Sequence, residues 1–446
     1  MKVAFCTLGC KVNQYESQSM EQALIKRGFE CVGANEDADV YIVNSCTVTA
    51  ESDRKTRQNV RHLKKLHPDA VIVLTGCMPQ AFPEDARLLT QADIVTGNRS
   101  NRQIPDMIDE FFRTRERIVR ISEHENGEKF SGELIEDFRE RTRATVKIED
   151  GCNRFCSYCL IPYARGVVRS RPLEEVLEEA KMLLNKGFRE LVLTGINTAL
   201  YGTEPEFDFQ REPGEEGLNG LEAVIRRLDA MEGDFRIRLS SLEPTVVDIE
   251  HSERIVQYDK LCHHLHLSLQ SGSDAILESM NRHYDREDYF KIVRSLRDFD
   301  PYFGITTDII VGFPGETEAD FEDTLDAVRK SNFGKVHAFR YSARKGTKAA
   351  GFKDMISGRV KSRRAGALEE QADEISKEFF RRNLNREDRV LVERHENGMA
   401  TGYTGNYIKV YIPDEEETLD AGGFVSVRLI ELYEDGCLAE ITGKRR

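Results

Sequence analysis

Cys152, Cys156 and Cys159 form a Cys-x3-Cys-x2-Cys loop directly after a stretch, Ala144 to Glu149, that reads as a β-strand. Three thiolates on one short loop hold three irons of a four-iron cubane and leave the fourth iron open to another ligand. A zinc knuckle would complete four protein ligands, and no further Cys or His falls within ten residues of the loop. The chain must therefore supply a framework that presents this loop at the end of a strand.

Three more cysteines share that placement without being neighbours in sequence. Cys10, Cys46 and Cys77 each end a run that reads as a strand: Phe5-Cys6-Thr7-Leu8-Gly9-Cys10, Val43-Asn44-Ser45-Cys46 and Leu74-Thr75-Gly76-Cys77. In a parallel sheet the carboxyl ends of the strands open onto one edge, so the three thiols are expected to converge there. A second three-cysteine cluster is the economical reading, with unrelated buried thiols as the alternative. Cys6, Cys31, Cys262 and Cys437 lack such placement and are assigned to packing. Ten cysteines in 446 residues are too sparse for a disulfide scaffold.

A chain of this length is expected to form two or three domains. Residues 1–110 alternate short apolar runs (Lys2 to Leu8, Val40 to Asn44, Ala70 to Thr75, Ile94 to Thr96) with amphipathic stretches, the pattern of a parallel α/β sheet of about four strands. Residues 111–143 are charged and irregular and read as a linker. Over 144–383 a longer βα series places strands near Ala144 to Glu149, Glu190 to Thr194, Arg236 to Ser240, His264 to Leu269, Gly304 to Val311 and Lys335 to Tyr341. Six such units imply an open, partial TIM-like (β/α)6 barrel, with Gly202 to Gly220 as an inserted surface loop and Lys361 to Arg382 as a charged helix. Residues 384–446 carry five short strand patterns and fit a small β-barrel. The whole is α/β, with an all-β end.

The formal charge of -14 argues against a protein that holds nucleic acid by a global positive field. Any such contact must be local. The segment Arg54, Lys55, Arg57, Arg61, Lys64, Lys65 is one candidate, and Arg165, Arg169 and Arg171 are another. The final 63 residues hold eight Lys or Arg against thirteen Asp or Glu, so RNA binding there would depend on shape and on stacking from Tyr403 or Tyr407. The start turns polar within ten residues and no run of eighteen apolar residues occurs, so no membrane partner is expected and the location is read as cytoplasmic. His263, His264 and His266 have no carboxylate or thiol at recognisable ligand spacing and read as satisfied or cofactor-adjacent histidines.

Taken together, these residues resemble the methylthiotransferase family of radical S-adenosylmethionine (SAM) enzymes over nearly the whole chain. The resemblance rests on Thr7-Leu8-Gly9-Cys10-Lys11-Val12-Asn13-Gln14-Tyr15-Glu16-Ser17, Asn44-Ser45-Cys46-Thr47-Val48-Thr49, Gly76-Cys77-Met78-Pro79-Gln80, Gly151 to Cys159 and Ile161-Pro162-Tyr163-Ala164-Arg165-Gly166. It implies an N-terminal domain with an auxiliary cluster, a radical SAM barrel and a C-terminal TRAM barrel. It also implies two 4Fe-4S clusters, with exchangeable SAM on the one held by Cys152, Cys156 and Cys159, and tRNA as substrate. One SAM would donate a methyl group to sulfur near the N-terminal cluster, and a second would yield the 5'-deoxyadenosyl radical that takes hydrogen from C2 of an adenine. That C–H bond offers no acidic proton, so a general base could not activate it, and no acid–base catalytic residue is assigned.

By the same resemblance Tyr158 packs over the cofactor's adenine, with a generic loop aromatic that fills the core as the alternative, while Gly195, Glu243 and Gln270, at the ends of later strands, contact the cofactor or, in the alternative, belong to plain βα turns with helix-capping residues. The run from Lys11 to Ser17 is similar to the branch acting on N6-threonylcarbamoyladenosine beside the anticodon. Arg340 or Arg344, near the last barrel strand, would read the threonylcarbamoyl carboxylate. The sister branches act on isopentenyladenosine or on a ribosomal-protein aspartate. A non-catalytic iron-sulfur electron carrier or redox sensor is the reading from another class. The sulfur donor and electron donor are not named by the sequence.

Overall fold

The computed structural model describes residues 1–125, 127–132, 134–136, 142–209, 211–244 and 249–443. Residues 126, 133 and 137–141 of the expected linker, 210 of the expected inserted loop and 444–446 lie outside the described residues. The chain divides into two compact units: Met1–Glu136 with Lys147–Glu175 and Ser342–Gly351, and Asp137–Val146 with Val176–Tyr341 and Phe352–Arg446.

The first unit is built on strands β1 (Lys2–Thr7), β2 (Glu30–Val32), β3 (Val40–Ser45), β4 (Val71–Gly76), β5 (Ile94–Thr96) and β6 (Ile118–Arg120), in the order β2-β1-β3-β4-β5-β6. Every pairing in this sheet is parallel. The two central strands read Val-Tyr-Ile-Val-Asn-Ser and Val-Ile-Val-Leu-Thr-Gly and are buried throughout, because helices cover both faces. Ile42, Val71 and Val73 pack with Leu24, Met107 and Ile108 on one face. Tyr41, Val43, Ile72 and Leu74 pack with Val60 and Met78 on the other. The sequence pattern shows four of these strands. The edge strands β2 and β6 are three residues each, too short to display a period, and β6 falls inside the stretch expected to be irregular.

Strand β7 (Ala144–Lys147) belongs mostly to the second unit. It leads into β8 (Glu149–Asp150), which pairs antiparallel with β9 (Arg169–Ser170), and the Cys152 to Cys159 loop lies between these two. In the second unit β7, β10 (Glu190–Thr194) and β11 (Arg236–Leu239) form one sheet, and β12 (Ser241–Leu242), β13 (His264–Leu267), β14 (Gly304–Val311) and β15 (Lys335–Arg340) another. An isolated parallel bridge pairs Ile237 of β11 with Leu261, three residues ahead of β13. Six of these are the βα strands expected, in chain order, β12 is a two-residue strand where a turn was expected, and together they make the partial barrel. Four of its helices begin at side-chain caps, Asn219, Ser273, Asp285 and Thr317, and at the last Thr317 and Asp320 form a reciprocal capping box at the start of Glu318–Ser331.

Helix Gly358–Asn383, capped by Ser357, leads to β16 (Glu387–Glu396), β17 (Met399–Tyr403), β18 (Lys409–Pro413), β19 (Phe424–Tyr433) and β20 (Gly436–Ile441). They close as β16-β17-β18-β20-β19, so no sheet edge stays open. Val390, Ala400, Val410, Val427 and Ala439 fill the interior. The five strands expected from residues 384–446 are all present.

Candidate active site

In the first unit, the carboxyl ends of β1, β3 and β4 are tied together by short polar side chains. Asn13 Nδ2 donates to Asn44 Oδ1 (3.2 Å) and to the Ser45 carbonyl (2.9 Å). Asn44 Nδ2 returns a bond to the Asn13 carbonyl (2.9 Å), and Ser45 Oγ donates to the Thr75 carbonyl (2.6 Å). These contacts hold the turns that carry Cys10, Cys46 and Cys77 at one sheet edge. Gly9 has φ +112°, and a Cβ there would stand 2.8 Å from Cys46 Cβ and 3.2 Å from its Sγ, so the Cys10 turn and Cys46 are immediate neighbours. Cys46 and Cys77 are buried and Cys10 is exposed.

Burial pushes the Cys77 thiol up to about 12, against the pull of the Arg165 guanidinium, and the nearby Cys46, Glu16 and Cys10 push the same way as burial. Cys46 is raised too, chiefly by burial. Thiols that are costly to ionise, gathered beside a buried cation, become stable thiolates when a metal centre takes up their charge. The donor set therefore fits a cluster bound through three cysteines.

The second cysteine set is local. Cys152 N–H donates to the Gly166 carbonyl (3.1 Å), and Cys159 N–H to the Cys156 carbonyl (3.0 Å). The Ile161 N–H points at Cys159 Sγ (3.4 Å), the backbone-to-sulfur contact expected around iron-sulfur ligands. All three cysteines are half-buried, as is Tyr158. The Ser157 carbonyl accepts from Ala349 N–H (2.7 Å), so the 342–351 segment props the loop.

Between these features lies an ionic network absent from the sequence reading. Arg165, fully buried, bonds Glu16 through Nη1 (2.7 Å) and Nη2 (3.0 Å) and Asp150 through Nη1 (3.1 Å), while Lys147 Nζ reaches Glu16 (3.1 Å) and Asp150 (2.8 Å). Lys147 and Arg165 hold the Asp150 carboxyl well below the usual range, and Arg165 and Lys147 do the same for Glu16, in both cases against burial. This corrects the expectation of phosphate contact by Arg165, Arg169 and Arg171. All three are buried, Arg169 on the carbonyls of Arg165 (2.7 Å) and Val167 (3.0 Å), Arg171 on Tyr15 Oη (3.3 Å) and Glu175 (3.4 Å).

Arg344 is likewise corrected. It folds with the first unit, buried, bonded to Thr47 Oγ1 (2.9 Å) and ion-paired with Asp53. Arg340 is exposed, but its Nη1 bonds Ser362 Oγ (3.0 Å) on helix Gly358–Asn383. Register pairs it with fully buried Val311, on the helix-covered face of β15. Of the basic segment in helix Ala50–Leu66, Arg54, Lys55, Arg61 and Lys65 are exposed, whereas Lys64 is held by Asp93 (2.9 Å).

In the second unit Gly195, Glu243 and Gln270 follow the carboxyl ends of β10, β12 and β13. Asn197 Nδ2 bonds Glu243 Oε2 (3.0 Å), and Arg282 stands 3.5 Å from the same carboxylate. Gln270 adopts φ +67°. Its backbone bridges to β14, giving an N–H to the Asp308 carbonyl (2.9 Å) and accepting from Ile310 N–H (2.9 Å). The buried Ser240 hydroxyl, at the end of β11, has no hydrogen-bond partner among the described residues. Such a rim of polar groups fits the amino, carboxylate and ribose groups of a nucleoside-amino acid cofactor. Tyr403 and Tyr407 stack on each other (4.8 Å), and Tyr407 stacks on His264 (4.5 Å), so the two rings are used within the unit.

Residues 2–97 match the family described as uncharacterized protein family UPF0004, and residues 146–328 the radical SAM superfamily. The threonylcarbamoyladenosine tRNA methylthiotransferase MtaB of Bacillus subtilis is 36% identical over 436 residues, 96% of this chain and 94% of its own. That of Thermotoga maritima is 38% identical, covering 97% and 95%. The chain is a radical SAM tRNA methylthiotransferase. Its cofactors are accordingly SAM and 4Fe-4S clusters. The tRNA-2-methylthio-N(6)-dimethylallyladenosine synthase of Alkaliphilus oremlandii, a relative with another target, is 34% identical over 96% of the chain and 90% of its own. Among solved structures, the radical SAM methyltransferase TsrM of Kitasatospora setae superposes with TM-score 0.53 over 76% of this chain and 72% of its own. At 14% identity it shows the fold alone. No described helix is long and apolar enough to cross a membrane.

Proposed function

We propose that this enzyme adds a methylthio group to C2 of N6-threonylcarbamoyladenosine at tRNA position 37, beside the anticodon. The observation that carries this reading is the full-length likeness to enzymes named for that nucleoside, at 36 to 38% identity, against 34 to 35% for those named for the dimethylallyl nucleoside. Cys10, Cys46 and Cys77 hold one four-iron cluster and Cys152, Cys156 and Cys159 the other. These groups and SAM, when bound, would supply the methyl group and the radical chemistry. The chain's own residues gather the thiols, neutralise their charge through Arg165, and present Tyr158, Gly195, Glu243 and Gln270 to the cofactor. The closed C-terminal barrel acts as a TRAM-type RNA module. An electron donor and a sulfur donor complete the system, and the enzyme works in the cytoplasm with its tRNA.

Nucleoside mass spectrometry of tRNA from cells with and without the protein tests the substrate. The deletion should lose 2-methylthio-N6-threonylcarbamoyladenosine, accumulate its unthiolated precursor and keep 2-methylthio-isopentenyladenosine. Loss of the isopentenyl product instead moves the enzyme to that branch. No change in any nucleoside brings the ribosomal-protein target forward.

A further inference from the structure

Strands β13, β14 and β15 lie side by side and parallel, with His266 opposite Thr306 and Asp308 opposite His337. Alternation gives their sheet two unlike faces. Leu265, Leu267, Ile305, Thr307, Ile309 and Val311 on one are fully buried or nearly so. On the other, His266 and Asp308 are half-buried and His337 and Phe339 exposed. Three polar groups meet on this open face: one ligand atom from each of His266, Asp308 and His337 lies within 4.8 Å of the others. His266 Nδ1 engages Thr306 Oγ1 (2.9 Å), which fixes its ring, and its Nε2 faces Asp308 Oδ2 at 3.2 Å. That buried Nε2 makes no well-aligned hydrogen bond among the described residues, so its hydrogen-bonding capacity is left for a group that enters beside Asp308.

The geometry points to this cluster as the subsite that receives the polar substituent on N6 of the target adenosine. The imidazoles of His266 and His337 donate to carbonyl or carboxylate oxygens of a threonylcarbamoyl-type group, and Asp308 accepts from its N–H or hydroxyl. The inference rests on the substrate reading above and replaces the arginines in it: strand alternation puts Arg340 on the helix side of β15 and His337 on the open side. Phe339, 43% exposed on the open face, offers a flat apolar surface to a base. A divalent metal is the rival occupant. Two imidazoles and a carboxylate also make a metal-ligand set; the pairing of hydrogen-bond donors with an acceptor suits an organic polar group, and the metal-binding arm of the test decides between the two.

The test uses the reconstituted holoenzyme, its His337→Phe and His337→Gln variants, and two tRNAs, one carrying threonylcarbamoyladenosine and one isopentenyladenosine. His337→Phe should raise KM for the threonylcarbamoyl tRNA about tenfold or more, because a buried polar group of the substrate loses its partner. The ratio of kcat/KM between the two tRNAs should shift toward isopentenyl by the same factor. His337→Gln, which keeps a donor, should recover most of the preference. Iron content and circular dichroism establish that the variants are folded and loaded. Equal loss on both tRNAs, or an unchanged KM, overturns the inference and leaves the substrate reading standing. So does stoichiometric binding of zinc or manganese to the wild type that His337→Phe abolishes. A wild type inactive on threonylcarbamoyl tRNA defeats the substrate reading and this inference together.

Discussion

The two cysteine sets are made in opposite ways. Cys152, Cys156 and Cys159 span eight residues and keep their spacing in any fold that tolerates the loop. Cys10, Cys46 and Cys77 are spread over 68 residues and meet because three parallel strands end at one edge and their turns interlock through Asn13, Asn44 and Ser45. A local motif writes its ligand geometry into the sequence, whereas an assembled one writes it into the sheet. The assembled set should therefore fail when the sheet is disturbed, even where no cysteine changes.

The largest effects come from removing each set whole. Cys152→Ala, Cys156→Ala and Cys159→Ala combined should leave about four of about eight irons and reduce SAM cleavage to background. Cys10→Ala, Cys46→Ala and Cys77→Ala combined should leave cleavage in place and abolish methylthio product. Retention of both clusters in the first variant, or of product in the second, breaks the division of labour. Arg165→Met comes next, since it leaves the buried carboxylates of Glu16 and Asp150 only Lys147 to share and, for Asp150, the more distant Arg169 (3.6 Å). Breaking such a pair costs about 3–5 kcal/mol, read as a fall in denaturant midpoint of the apo protein. A smaller loss is expected from Gly76→Ala. Gly76 has φ +96°, and a Cβ would meet Asn44 Oδ1 at 2.5 Å and the Ser45 carbonyl at 2.5 Å. The strain is of order 1–3 kcal/mol, and iron should fall toward half with SAM cleavage kept, because only the assembled set depends on that turn.

What was legible follows the same divide. The barrel strands and the five C-terminal strands are plain in the sequence because runs such as Gly304–Val311 and Phe424–Tyr433 are long enough to show their pattern. The cysteines were legible because each ends such a run. The edge strands Glu30–Val32 and Ile118–Arg120 were not, being three residues long. Charged side chains were misread most. Arg165, Arg169 and Arg171 look like a surface for phosphate, and Arg344 like a reader of a substrate carboxylate, until partners such as Glu16, Asp150, Tyr15 and Asp53 tie them into the interior. Asp308, alone in the run Ile305 to Val311, was the available sign that His266 has a carboxylate for company.

The smallest effect expected is on the acid side of the stability profile, and it asks whether the two cysteine sets share a support. Glu16 lies six residues after Cys10, and Asp150 two before Cys152, yet both grip the Arg165 guanidinium. Each carboxyl is held below its ordinary value in the folded state. A group depressed in this way is ionised in both folded and unfolded chains at neutral pH, so its contribution is whole above about pH 5. As pH falls below about 4 the unfolded chain takes up a proton that the folded chain refuses, and stability drops by up to about 1.4 kcal/mol per pH unit for each carboxyl. Glu16→Gln should be less stable at pH 7 and lose stability less steeply below pH 4, with the difference in slope about one proton. Asp150→Asn should do the same, and the double variant should exceed the sum, since each single variant leaves Arg165 and Lys147 one carboxylate and the double leaves them none. Additive losses would mean that each cysteine set keeps its own electrostatic support and that Arg165 does not link them.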